Sequence, residues 1–455
     1  MLSAEASDRA DVVLDVEPRM TRMRLGPIDE MTFDALTKGM PATAEPLRLA
    51  DIPGQGWNLL AGDLPFPVAI LRRSRLEANN AWMGAFVEHC GVALCPHGKT
   101  SMSPQLLDRQ LMAGAWGVTC ATAQQAEVYF RFGAKRVVLA NQLMGEANLA
   151  LALGRLRNAE VQLFVLVDSA EGVELLEDQW RRLRLTRQID VLLEVGATGG
   201  RTGVRSLDEG EALAELVAAS PALRLAGVET YESLYHGEPA ATAEAKVAEV
   251  LDTAAELVRR LVLSARFETD GQPVILSAGG SDYFDMVADR FGGLDLGVAI
   301  QVVLRSGCYI TSDEFYYAGA ARRIASRTPE LRAFERGIGP ALEVWAVVQS
   351  RPEPTRAYAT LGKRDAGHDW EPPSAKFWYR KGLHQRPEPI EPGSCQTLKL
   401  NDQHAHLKIA ADAPFRPGDL IGFGVSHPCT TFDKWRLIHE VDDRYQVTGA
   451  FVTFF

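Results

Sequence analysis

From Pro65 to about residue 315, short runs of consecutive apolar residues alternate with longer stretches whose apolar positions recur every three or four residues. PVAILRR precedes SRLEANNAWMGAFVEHC, VALC precedes SPQLLDRQLMAGA, VTC precedes AQQAEVYFRFG, and RVVLANQ precedes GEANLALALGRLRN. The pattern continues through VQLFVLVDS, IDVLLEVGA, LRLAGVETYES, PVILSAGGS and LDLGVAIQVVLRSGCYI. The short runs lack the polar alternation of a strand with one wet face, so both faces must be covered, as in parallel strands under helices. Eight or nine such units in about 250 residues predict an α/β fold built on a closed (β/α)8 barrel rather than an open doubly wound sheet.

The rhythm then breaks. Proline-rich, helix-poor sequence (RPEPTRAYATLG, DWEPPSAKFWYRKG, RPEPIEPGS) separates strand-like runs such as ALEVWAVVQS, HAHLKIA, DLIGFGVS and YQVTGAFVTFF. Three regions are expected: an extension over 1–55 that could join the β-domain or cover the mouth of the site, a barrel over 56–315, and a smaller C-terminal β-domain over 316–455.

Composition narrows the function. The chain has 455 residues, of which 46% are hydrophobic and 24% charged, an ordinary balance for a folded enzyme-sized body. A formal net charge of −11 and the lack of any block of five or six basic residues argue against a nucleic-acid partner. The acidic opening MLSAEASDRADVVLDVEPRM is not a signal peptide, and no run of 18 apolar residues offers a membrane span. Six cysteines without CxxC spacing fit a reducing compartment, so a cytoplasmic location is expected.

Candidate chemistry gathers at the ends of the apolar runs, where (β/α)8 barrels carry their catalytic groups. VALCPHGKTS ends on Lys99. Its GKT is not a phosphate-binding P-loop, because that motif needs glycine where Ala93 stands and Pro96 removes a backbone donor. Lys99 is then either a solvated loop lysine or a desolvated amine able to form a Schiff base. GATGGRTGVR offers Arg201 on a glycine-rich turn, and ETYESLYHG offers Tyr231 and His236 beside a flat ligand. In SAGGSDYFD, Gly279, Gly280 and Ser281 close a strand just before a helix, a geometry that holds phosphate. VVLRSGCY puts Arg305 and Gly307 after an apolar strand, where an arginine requires a partner. Far away, GVSHPCTTFDKW sets His427 and Cys429 two residues apart. On an extended segment both would face one side, and imidazole with thiolate favours zinc. A third ligand, such as His404 in DQHAHL, or water and substrate would complete the coordination.

PHGKT, LMAGAWGVTCATAQQAE, RVVLANQLMG, SAGGS, RSGCY and GDLIGFGVSHPCTTFDKW together resemble the D-serine dehydratase-like group of fold-type III, alanine racemase-like pyridoxal-phosphate enzymes. The resemblance runs from about residue 60 to the end. It implies a barrel, a C-terminal β-domain and a homodimer with the active site at the interface. It further implies that Lys99 holds pyridoxal 5'-phosphate as a Schiff base, that Arg201 lies near the phenolic oxygen and that Tyr231 lies beside the ring. Gly279, Gly280 and Ser281 would surround the phosphate, with backbone contacts from Gly307 and Cys308, and Arg305 would neighbour the pyridine nitrogen. His427 and Cys429 match the zinc pair of the dehydratases, whereas related D-threonine aldolases carry His and Asp at that spacing. Departures fall at Gly98 and Ser101 beside the lysine and at Gln403, His404 and Ala405.

The activity this implies is that of a carbon–oxygen lyase: a pyridoxal-phosphate- and Zn2+-dependent dehydratase that turns a β-hydroxy D-amino acid such as D-serine into a 2-oxo acid and ammonia. An aldolase releasing glycine and an aldehyde is the alternative. A non-catalytic pyridoxal-phosphate carrier is the alternative of another class, opposed by the β-domain, and a racemase lacks an assignable second base.

Overall fold

The computed structural model describes residues 22–235, 237–268, 271–327 and 338–455. His236 lies outside them. Eight parallel strands run in chain order as β1 (Ala93–Leu94), β2 (Val118–Cys120), β3 (Arg136–Gln142), β4 (Gln162–Val167), β5 (Ile189–Val195), β6 (Leu223–Thr230), β7 (Val274–Ala278) and β8 (Ile300–Leu304). Each pairs with its successor from β2 to β8, and β8 pairs with β1. A parallel bridge between His97 and Thr119, with Trp116 N donating to Leu94 O at 2.7 Å, joins β1 to β2 and closes the ring.

The continuous apolar runs become strands because both their faces are dry. All seven residues of β5 are buried. Alternate residues separate into two layers: Val137, Leu139, Val191 and Leu193 join the main core, whereas Val138, Leu192, Ile275 and Val303 pack with Cys95, Phe164 and Leu166 inside the ring. Outside, helix starts follow the N-cap rule. Thr122, Ser169 and Ser206 accept from the backbone N–H of Gln125, Gly172 and Glu209, each satisfying a donor that a helix start leaves open.

The second body is a ten-stranded sheet. Its centre is Leu342–Glu353, antiparallel to Leu420–Gly424, which is itself antiparallel to Ser374–Tyr379. The run PVAILRR is a strand, Val68–Arg72, but it corrects the expected start of the barrel. It pairs antiparallel with Leu342–Glu353 and parallel with Leu437–Val441, so the chain opens in the β-domain sheet before entering the barrel. Just past the expected boundary at 315 comes a helix, Tyr316–Arg327, where a β-domain was expected to begin. Residues 22–55 form a small hairpin, Thr32–Phe33 with Leu47–Arg48, and touch both bodies. Met23 N donates to Asp108 Oδ1 at 2.8 Å on the barrel side, and Lys38 Nζ lies 2.7 Å from Asp365 Oδ1 on the other. Among the described residues no helix is long and apolar enough to cross a membrane.

Candidate active site

The inward parity of the barrel strands carries the apolar layer up to a polar one at their C-terminal ends. Two residues beyond Leu192, Ile275 and Val303 stand Glu194, Ser277 and Arg305, and Glu229 is the register partner of Glu194. Arg305 is 3% exposed. Its Nη2 lies 2.5 Å from Glu229 Oε2, its Nη1 donates to Ser277 Oγ at 2.7 Å, and its buried Nε has no partner. Burial pushes Glu229 up to about 7, with Arg305 pulling down and Glu194 pushing up. Glu194 in turn accepts from Thr202 Oγ1 at 2.7 Å and from Gln142 Nε2. These carboxylates were not singled out from the sequence, although an acidic residue near the C-terminal end of each apolar run, IDVLLEV and LAGVET, was the available signal.

Above this layer lie the groups expected at the strand ends. Lys99 sits in a helical turn, Gly98–Thr100, and is exposed, so the chain by itself does not desolvate it. Its charge, after burial and ahead of Arg305 and Arg201, holds His97 well below the usual imidazole range. Arg201 stacks on Tyr231, with its guanidinium carbon 4.1 Å from the ring centroid. Burial, then Glu232, pushes the Tyr231 phenol up to about 12 while Arg201 pulls it down. The Arg201 turn needs Gly203: its φ is +95°, and a Cβ there would lie 2.4 Å from Gly196 N.

The SAGGS turn presents two backbone donors to a carboxyl group. The N–H groups of Gly279 and Gly280 converge on one oxygen of buried Glu232, at 3.1 and 2.9 Å. Glycine is required by close approach, since a Cβ on Gly280 would meet Glu232 Oε1 at 1.9 Å and one on Gly307 would meet His97 O at 2.2 Å. Ser306 Oγ donates to Gly280 O at 2.5 Å, tying the Arg305–Gly307 segment to the same turn and to Ser281 after it.

The His427–Cys429 segment reaches this mouth within one chain. It is not extended as expected: Pro428 is helical (φ −56°, ψ −41°) and Cys429 opens the short helix Cys429–Phe432, so the two side chains meet around a turn. Cys429 Sγ lies 3.3 Å from Thr100 Oγ1 and 3.4 Å from Cys308 Sγ, and Thr100 Oγ1 lies 3.1 Å from Cys308 Sγ. The Cys308 contact, with His427 and Thr100 acting against burial, holds Cys429 well below the ordinary thiol value, and the Cys308 thiol is pushed well above it. His427 Nδ1 is 2.6 Å from Asp369 Oδ2; a carboxylate only accepts, so Nδ1 carries the proton and Nε2 is the ring's free ligand position. Thr430 Oγ1 donates to Asp369 Oδ1 at 2.9 Å, and the Trp370 ring stacks on the imidazole at 4.2 Å. Asp369 lay outside the sequence reading. His404 lines a different cleft, with Lys363, Asn401, Asp402 and Gln403. Among the described residues no three His, Cys, Asp or Glu side chains already stand in ligating geometry.

Residues 71–287 match the alanine racemase N-terminal domain, and residues 341–441 match the putative serine dehydratase domain. The D-threonine aldolase of Arthrobacter sp is 28% identical over 373 residues, 81% of this chain and 86% of that protein. The D-threo-3-hydroxyaspartate dehydratase of Delftia sp. (strain HT23) is 28% identical over 253 residues, 55% of this chain and 62% of that protein. In fold the chain is similar to the D-threonine aldolase of Filomicrobium marinum (TM-score 0.69, 21% identity, 88% of this chain and 97% of that one). It is likewise similar to the Delftia dehydratase structure (TM-score 0.63, 22% identity, 87% and 99%). The chain thus belongs to the alanine racemase-like, fold-type III family of pyridoxal-phosphate enzymes, with a serine dehydratase domain after its barrel, and is homologous to D-threonine aldolase and D-threo-3-hydroxyaspartate dehydratase.

Proposed function

We propose that the chain is a pyridoxal-phosphate- and zinc-dependent dehydratase of a β-hydroxy D-amino acid such as D-serine, releasing a 2-oxo acid and ammonia. The observation that carries this is the 3.3 Å approach of Cys429 Sγ to Thr100 Oγ1, which brings a nitrogen and sulfur donor pair beside the residue that follows Lys99.

The residues present fit both groups. Two N–H donors already converge on one carboxyl oxygen in a glycine cradle, and the buried Nε of Arg305 lacks a partner. Lys99, Arg201, Tyr231, Arg305, Gly279, Gly280, Ser281, Gly307 and Cys308 would hold pyridoxal phosphate, with Glu232 leaving the two donors it now occupies. Bound there, the cofactor supplies an electron sink for Cα. His427, oriented by Asp369, and Cys429 would hold zinc, which supplies the Lewis acid that a poor leaving group such as hydroxide requires.

The chain's own part is proton handling and orientation. Lys99 Nζ takes the Cα proton as general base. Arg201, braced on Tyr231, fixes the plane against which the substrate lies. Glu229 and Ser277 keep the Arg305 charge at the floor of the site. Loss of the Cα proton and of the β-hydroxyl as water, followed by hydrolysis, gives the 2-oxo acid and ammonia. Family resemblance supports a homodimer as the working unit, and six unpaired cysteines agree with a cytoplasmic setting.

A second reading, retro-aldol cleavage to glycine and an aldehyde, is favoured by the longer match to D-threonine aldolase. Cys429 favours elimination, by the resemblance of its HxC pair to the dehydratases. Holoenzyme incubated with D-serine, D-threonine and 3-hydroxy-D-aspartate decides between them: 2-oxo acid with ammonia supports the dehydratase, and glycine without 2-oxo acid overturns it.

A further inference from the structure

We propose that Cys308 is a third protein ligand of the zinc, in addition to His427 and Cys429. The inference rests on the metal reading above and goes beyond it, because resemblance gives Cys308 only a backbone contact to phosphate. Cys308 enters the mouth from the end of β8 in the barrel, whereas Cys429 enters from the β-domain, and their sulfurs lie 3.4 Å apart. Two thiolates on one tetrahedral zinc, at about 2.3 Å each, stand about 3.8 Å apart, so both sulfurs reach a common ion after a shift of about 0.4 Å. Among the described residues the three side chains do not yet stand in ligating geometry, so Cys308 must move onto the ion when it binds. Both thiols border Thr100 Oγ1, at 3.1 and 3.3 Å, which fixes the side from which they converge.

The donor count gives this its chemical force. Two protein ligands hold a catalytic zinc weakly; three with one open position is the usual arrangement, and a Cys2His set is one of its known forms. Here His427 Nε2, Cys429 Sγ and Cys308 Sγ supply the three, and the fourth position is left for the substrate β-oxygen. Both sulfurs bind as thiolates, and any proton still carried passes to solvent as the sulfur–zinc bond forms. The backbone of Cys308 stays available to phosphate, so one residue couples the metal to the cofactor cradle.

The test uses cofactor-loaded, metal-stripped protein under reducing conditions, titrated with cobalt(II) and read as a difference spectrum. Expected is sulfur-to-cobalt charge-transfer absorption that falls to about half in Cys308→Ser and in Cys429→Ser and vanishes in the double variant. Competition with a chromophoric chelator should show Cys308→Ser weakening cobalt binding at least about 10-fold. Undiminished absorption and affinity in Cys308→Ser, with both lost in Cys429→Ser, overturns the role of Cys308 and leaves the His427–Cys429 site standing. Absence of any such absorption in the unsubstituted protein overturns the metal reading itself. If the variants do not fold, X-ray absorption of the zinc-loaded unsubstituted protein decides: two sulfurs at about 2.3 Å support the proposal and one overturns it.

Discussion

Cys429 Sγ lies 3.3 Å from Thr100 Oγ1, although the two residues stand 329 positions apart and belong to different bodies of the fold. Thr100 is 2% exposed, so the contact is part of the packing between barrel and β-domain rather than a surface encounter. The Leu420–Gly424 strand that delivers Cys429 is held on both sides, by Leu342–Glu353 and Ser374–Tyr379. Any motion that separates the two bodies would move the donor pair away from Lys99, and the two halves of the proposed chemistry are mechanically one site.

Lys99→Ala tests the covalent half. The variant should lose the visible absorption of bound cofactor, and lyase activity should fall by at least about 10²-fold, the usual contribution of a general base. Lys99 is exposed and its removal leaves no cavity, so thermal stability should stay near that of the cofactor-free unsubstituted protein. A normal visible band in this variant removes the central assignment.

Cys429→Ala tests the metal half separately. Elimination should drop to the level of chelator-treated enzyme, while the visible band persists because the cofactor cradle is built from barrel residues. Activity of the stripped protein should return on adding zinc, but not in the variant. Undiminished turnover after complete metal removal sinks the zinc role.

Asp369→Asn probes orientation rather than ligation. The carboxylate receives His427 Nδ1–H at 2.6 Å and, against burial that pushes it up, is held below the usual carboxylate range by His427 and Thr430. Removing its charge should weaken zinc binding about 10- to 100-fold, as for other partners of ligating histidines. A chelator competition curve checks this, and superimposable curves for the two proteins refute it.

The parts of the fold that were legible in the sequence are those fixed by one-dimensional pattern. VQLFVLV and IDVLLEV are apolar without alternation, and each forms a barrel strand buried on both faces. PVAILRR has the same composition and went to the other sheet, because an apolar run declares that it will be covered and not which strand will pair with it. The HPC triplet was read as extended, yet Pro428 is equally compatible with a helical turn and takes one. The residues missed are those whose meaning lies in a distant partner: Asp369 acts on His427 58 positions away, and Glu229 acts on Arg305. Arg305 itself was anticipated as needing a partner, because burial of that charge alone would be too costly.

His439 yields a prediction about stability rather than catalysis. Its ring is fully buried, and Nε2 lies 2.9 Å from Gly39 O. A carbonyl can only accept, so Nε2 carries the proton in the neutral ring. Nδ1 is buried without a partner, and protonating it would create an unsatisfied buried charge. Burial therefore lowers the pKa to about 4, with the Gly39 bond pulling the other way. In the unfolded chain the ordinary value is about 6.5, so between these values the unfolded state binds the extra proton. The contribution of His439 is complete above about pH 6.5 and is lost as pH falls toward 4, a change of about 2 kcal/mol between pH 7 and 4.5. Glu229, raised to about 7, slopes the opposite way, so the comparison must be between unsubstituted protein and His439→Gln, in which the Glu229 slope cancels. Denaturant unfolding at a series of pH values should give a shallower acid-side loss in the variant by that amount. Parallel curves would mean that the ring already titrates normally in the fold, and that the contact between residues 22–55 and the β-domain is not its shield.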